Sequence, residues 1–184
     1  MTPIHNITFS FNEAEDRITL RCTLNDQSVI ALLLTRRLTG PLLEKLTKML
    51  LKTSEMAATL PTKLREEVIM MEHAHALARI AAQVTESGAG AQAADSDQEE
   101  PADHLLTRID FQPQADSCTL LFFCNGSDTV LTAITFNRVQ LHWFVDTLDR
   151  FAQRAGWEIR PHQRDWLALK DSESAAAPNR TLLH

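Results

Sequence analysis

The residues of this chain that are equipped for chemistry fall into three groups. The first is Glu72-His73-Ala74-His75. Glu72 and His75 stand three apart, which puts them on one face of a helix at a spacing that suits two ligands of a metal ion. His73 and His75 stand two apart, so on a helix they diverge, and no third ligand is indicated elsewhere. The group reads as His75 in a helix-packing seam beside an exposed His73, and no metal is assigned.

The second group is the cysteines. Cys22 and Cys124 both fall on inward-facing strand positions beside Leu and Phe. Buried thiols behave as small hydrophobes, and apolar surroundings raise their pKa, so these two read as core residues. Cys118, at a strand start, is expected to be the most accessible to a thiol reagent. An odd count of three with no C-x-x-C spacing fits reduced thiols rather than a disulfide framework or zinc site.

The third group is basic. From Ile4 to Thr53, seven bases (Arg17, Arg21, Arg36, Arg37, Lys45, Lys48, Lys52) stand against five acids. Arg17 and Arg21 would lie on an open sheet face, where a nucleic-acid reading puts them against phosphates. That face offers Thr and Arg, without the aromatic side chains on which single strands stack, so a solvated sheet face is the stronger reading. The tryptophans read more readily as core or docking anchors than as a binding surface; Trp143, off the main stripe of its helix, is the candidate for exposure. The candidate binding residues are therefore Arg17, Arg21, Arg36, Arg37 and Trp143. No P-loop, dinucleotide, nucleophile-elbow or zincin motif occurs, and two of the five glycines lie in a linker, so no catalytic residue and no cofactor is assigned.

These residues need elements to hold them. Ile4–Phe11 alternates as a strand. Arg17–Leu24 alternates more cleanly, with Ile18, Leu20, Cys22 and Leu24 on one face. Val29–Leu34 is continuously apolar, as in a strand covered on both sides. A helix follows from about Thr35–Thr39 to Thr53, with Thr35 as cap and Gly40-Pro41 marking either its start or a kink. Thr59-Leu60-Pro61 opens a second helix running to Val84. Its Leu64, Val68, Met71, His75, Ala78 and Ala82 recur at 4-3-4-3-4 spacing, a seam for packing on the first helix or, in the sharper reading, on a partner. Thr85–Asp103 contains six acids and no Lys or Arg, which accounts for the whole net charge of −6. It reads as a flexible acidic linker between electrically neutral parts, and a neutral body is not a general nucleic-acid binder.

Strands are then expected over Leu105–Gln112, Ser117–Cys124 and Thr129–Phe136. Asn125-Gly126-Ser127 marks a hairpin turn, and Asn137 and Gln140 stand at capping-box spacing. A helix over Arg138–Ala155 ends at Gly156. Trp157–Lys170 is expected to dock on the body through Trp157, Ile159, Trp166 and Leu167, and 171–184 to be a disordered tail.

Sliding Ile7–Lys52 forward by 102 positions lays it without a gap on Ile109–Arg154, with Ile7 on Ile109, Phe9 on Phe111, Cys22 on Cys124 and Arg36 on Arg138. Hydrophobic period and phase survive the shift. The pattern predicts an α+β fold: a duplicated β-β-β-α unit forming one pseudo-two-fold domain. Its six antiparallel strands make one sheet or a partly open barrel, with helices packed on it and a long inserted helix. Leu121 and Phe123 make the second middle strand apolar on both faces, so something should cover it. The outline is loosely similar to the Whirly and PUR-type single-strand nucleic-acid binders, whose units have four strands where three are read here, and no motif transfers. No signal segment and no apolar run near twenty residues is present, which fits a cytosolic protein. The functional expectation is a non-enzymatic adaptor or accessory subunit with a protein partner. The alternative is single-stranded nucleic-acid binding through the first unit's sheet.

Overall fold

The computed structural model describes residues 4–24, 26–86, 102–114, 116–159 and 182–183. Three strands, β1 (Ile4–Asn12), β2 (Arg17–Leu24) and β3 (Val29–Thr35), lead into α1 (Arg36–Lys52), the short α2 (Glu55–Ala58) and α3 (Thr62–Glu86). Three more strands, β4 (Asp103–Pro113), β5 (Ser117–Cys124) and β6 (Thr132–Asn137), lead into α4 (Arg138–Arg154). The fold is α+β. Its six main strands form one open sheet in the order β6-β5-β4-β3-β2-β1, and the two-residue β7 (Leu182–Leu183) pairs antiparallel with Asn6 and Ile7 at the β1 edge.

The sheet is mixed rather than wholly antiparallel. β3 and β4 pair in parallel, Ala31 with Asp103, Leu32 with His104 and Leu33 with Leu105. The physical reason is the long crossover through three helices, which returns the chain to the end of the sheet from which β3 started. The third strand of one half thus meets the first strand of the other. The two three-stranded runs therefore join through a parallel pair at the centre of the sheet, with β1 and β6 toward its two edges.

The pairing also revises the ungapped shift. Ile7 pairs with Cys22, whereas Ile109 pairs with Phe122 and not Cys124, so the two hairpins differ in register by two residues at the positions the shift aligns. Side-chain direction survives, because an offset of two residues keeps the same face. Both hairpins break register at matching places, between Ile4 and Asn6 and between Leu106 and Arg108.

Local chemistry explains most element ends. The Asn137 side chain accepts from the Gln140 amide while the Gln140 side chain accepts from the Asn137 amide, a complete capping box at the start of α4. At its other end Gly156 takes φ +66°, the Trp157 amide donates to the Ala152 carbonyl and the Gly156 amide to the Gln153 carbonyl, the expected glycine stop. Thr35 has the extended backbone of an N-cap, but its side chain makes no cap bond. α1 runs through Gly40-Pro41 without a break. Thr59 closes α2 instead of capping α3, and Ser54 caps α2 by accepting from the Ala57 amide at 3.0 Å. Asn125 and Gly126 form the expected turn at φ 53° and 69°, but β6 begins only at Thr132, three residues later than expected.

The architecture has three layers. α1 and α4 lie on one face of the sheet, where Phe9 meets Trp143 at 5.8 Å and Phe136 meets Phe144 at 4.8 Å between ring centroids. α3 then lies on α4 rather than forming a hairpin with α1. α4 is consequently sandwiched, and the nine consecutive residues Leu141–Asp149 are all buried. On the opposite face of the sheet Leu33 and Phe123 are buried and Leu121 is half-buried, with the Arg108 guanidinium 3.8 Å from the Phe123 ring centroid. Of the segment expected to dock, Trp157 and Ile159 are buried. Trp157 donates to Asp16 at 2.6 Å beyond the β1–β2 hairpin, and the Ile159 side chain lies near Gly40, so neither covers the Leu121/Phe123 face. Trp166, Leu167 and most of the acidic linker and tail fall outside the described residues.

Candidate functional site

α3 is buried on a different face from the one its apolar spacing suggests. Ile69, His73, Ala76 and Ile80 point into the body, while Leu64, Met71, His75, Ala78 and Ala82 face solvent. The two stripes lie on opposite sides of the helix. Met71 is 68% exposed and Leu64 43%, and on neighbouring α2 Met56 is 61% exposed. A cleft of about 650 Å³ adjoins α2. Met49, Met56, Phe136, Val139 and Leu141 supply its apolar lining, and Glu72, Arg79 and Arg138 supply charge.

Behind this surface lies a polar seam between α3 and α4. Arg138 donates through Nη2 to Glu72 Oε2 at 2.5 Å and to the Leu50 carbonyl at 3.0 Å, and through Nη1 to Thr53 at 2.8 Å. The second Glu72 oxygen accepts from Ser54 at 2.6 Å. One ion pair therefore ties the end of α1, the cap of α2, the middle of α3 and the start of α4. Further along, His73 and His142 meet Nδ1 to Nδ1 at 3.2 Å, both buried. His73 Nε2 lies 3.6 Å from Asp146, which is paired with Arg150 at 3.0 Å, and His142 Nε2 lies 3.9 Å from Glu72. Burial first, then His73 and Arg138, push the His142 pKa down to about 3. The expected placement of the two α3 histidines is thus reversed: His73 is buried and His75 exposed. Among the described residues no group of three or more His, Cys, Asp or Glu is placed to hold a metal ion.

The structure does not gather the candidate residues into one site. Arg17 and Arg21 share the sheet face away from the helices; Arg21 is exposed, and Arg17 pairs with Glu15 at 3.4 Å. Arg36 and Arg37 stand at the start of α1, on a shallow depression with Glu44 and Glu158. Trp143 is fully buried against Phe9, a core residue and not one of the binding surface, because a sandwiched α4 has no exposed flank in that region. Among the cysteines, burial pushes the Cys22 thiol up to about 12 and also raises Cys118, while Cys124 is only half-buried and so is more accessible than Cys118.

No family model, no curated protein and no solved structure matches this chain. Among the described residues no helix is long and apolar enough to cross a membrane.

Proposed function

We propose that the protein is a non-enzymatic cytosolic adaptor or accessory subunit, and that α2 and the outer face of α3 carry its contact with a protein partner. One observation carries the reading. The large apolar side chains exposed among the described residues, Met56, Leu64 and Met71, all lie on these two adjoining helices. Exposed apolar side chains concentrated on one element mark an interaction surface, and methionine adapts its shape to a partner. The partner fitting this surface presents an apolar helix face, with side chains seated between Leu64 and Met71. We also read the two β-β-β-α halves as copies of one unit, which the matching register breaks in β1 and β4 support.

The nucleic-acid reading draws less support. On the sheet face Arg17 has Glu15, and Arg108 has Asp110 at 3.4 Å and Asp128 at 2.8 Å, so these cations already have acidic neighbours.

Affinity capture from the host lysate, with and without nuclease, tests the proposal on three chains: wild type, Leu64→Glu/Met71→Glu and Arg17→Glu/Arg21→Glu. The expected result is a set of proteins retained regardless of nuclease, lost with the α3 variant and kept with the sheet variant. Retention unaffected by the α3 variant overturns the assignment. Material lost to nuclease and to the sheet variant would put nucleic acid in the partner's place.

A further inference from the structure

The α3–α4 seam contains a proton count that the fold restricts. Two imidazoles meeting Nδ1 to Nδ1 at 3.2 Å bond only if one nitrogen carries a hydrogen and the other does not. The outward nitrogen of each ring looks toward a carboxylate, His73 toward Asp146 and His142 toward Glu72. In the neutral pair one of those outward nitrogens bears no hydrogen and turns its lone pair toward an anion. One added proton corrects this: each outward N–H then points at a carboxylate, and a single hydrogen lies between the rings. A second added proton puts hydrogens on both inner nitrogens, which face each other at a distance that admits one.

The surroundings set the charge balance. α3 contributes Glu72 and His73. α4 contributes Arg138, His142, Asp146 and Arg150, and one turn further Asp149 accepts from Gln153 at 2.6 Å. α1 and α2 face the seam with neutral groups, the Leu50 carbonyl, Thr53 and Ser54. Glu72 is offset by Arg138 and Asp146 by Arg150, and buried Asp149 adds one further carboxylate, so one added proton on the histidine pair brings these groups into balance and a second leaves an uncompensated positive charge in a buried region.

We infer that the His73–His142 contact is an acid-sensitive latch, which holds α3 on α4 while the two rings share no more than one added proton and releases α3, with the outer layer of the molecule, when both rings are charged. Sheet, α1 and α4 stay assembled through their own core, since the aromatic contacts of Phe9, Trp143, Phe136 and Phe144 contain no titrating group. The low His142 pKa agrees with a ring that resists charging while the seam is closed. The inference is independent of what α3 binds.

Hydrogen exchange of the full chain tests it, read as protection of α3 amides relative to β2 amides in the same molecules and corrected for the pH dependence of intrinsic exchange. Opening that takes up one proton raises the opening constant of α3 about tenfold per pH unit below about pH 6.5. The same measurement on His73→Asn/His142→Asn, which keeps a hydrogen-bonding atom near each Nδ1 position and cannot be charged, is expected to show no such slope. Relative α3 protection that stays level in the wild type, or that falls equally in the variant, overturns the latch. If the variant does not fold, the imidazole nitrogen resonances of the wild type decide. Two charged rings in a chain whose α3 amides remain protected overturn it, and loss of α3 protection in step with the second charge supports it.

Discussion

Arg138 on α4 reaches Glu72 on α3 at 2.5 Å, and the same guanidinium holds the Leu50 carbonyl at the end of α1. The pair is partly buried, with side-chain exposures of 30% and 19%, and it joins three helices that share no sequence neighbourhood. Removing one partner leaves the other facing the seam without its counter-charge.

Arg138→Ala is therefore expected to lower stability by about 2–4 kcal/mol, because a partly buried carboxylate loses its charge-assisted bonds. Urea unfolding checks this. A double-mutant cycle with Glu72→Gln is expected to return a coupling of at least ~1 kcal/mol.

The two faces of α3 should answer differently to truncation. Ile80→Ala removes a side chain that is 5% exposed and is expected to cost about 2–4 kcal/mol. Met71→Ala, at 68% exposure, should stay within about 0.5 kcal/mol while weakening partner capture. Equal costs at both positions would contradict the orientation of α3.

Trp143 is fully buried, and its Nε1 has no hydrogen-bond partner among the described residues. Trp143→Phe removes that donor and keeps an aromatic ring against Phe9. It is expected to cost less than about 1.5 kcal/mol, against about 3–5 kcal/mol for Trp143→Ala. Thermal unfolding of both variants separates the contribution of the ring from that of the indole N–H.

Thiol accessibility ranks the cysteines. A small aromatic disulfide reagent at mildly alkaline pH is expected to modify Cys124 first, with Cys22 and Cys118 reacting only as the chain unfolds, because burial both shields their sulfurs and raises their pKa. Cys124→Ser should remove the fast phase. A fast phase that survives in that variant would assign it to another thiol.

Acid should destabilise the whole fold as well as the seam. Burial holds His142 neutral in the folded chain, with a pKa of about 3 against 6.5 for an ordinary imidazole. The unfolded chain thus binds the extra proton first. Its contribution is fully present above the unfolded value and is lost progressively as pH falls from about 6.5 toward about 3. Urea midpoints measured down that range should decline, and His142→Asn should flatten the decline.

Much of this fold was legible in the chain because its signals are local. The alternation of Arg17–Leu24, the capping box of Asn137 and Gln140, and the stop at Gly156 each work within a few residues, and all three stand in the structure. The face of α3 was not legible. Its most regular apolar spacing includes Leu64 and Met71 yet faces outward, while the inward face carries Glu72 and His73. Burying those two is tolerable only because Arg138 and His142, 66 and 69 residues away, meet them there. Periodicity reports hydrophobicity along one helix and cannot report a polar partner on another. The burial of Trp143, off its helix's main stripe, has a related cause: an amphipathic stripe implies one buried side, and α4 is covered on two.

The parallel step between β3 and β4 has a consequence for how the halves stay together. The first half sends α3 over to α4 and packs α1 and β1 beneath it, and the second half lays β4 against β3, so the halves hold each other both within the sheet and above it. The residues that make these contacts lie at or before Glu86 and at or after Asp103. A chain nicked in that interval is expected to persist as a stoichiometric complex of two fragments, and fragments made separately should complement one another on mixing.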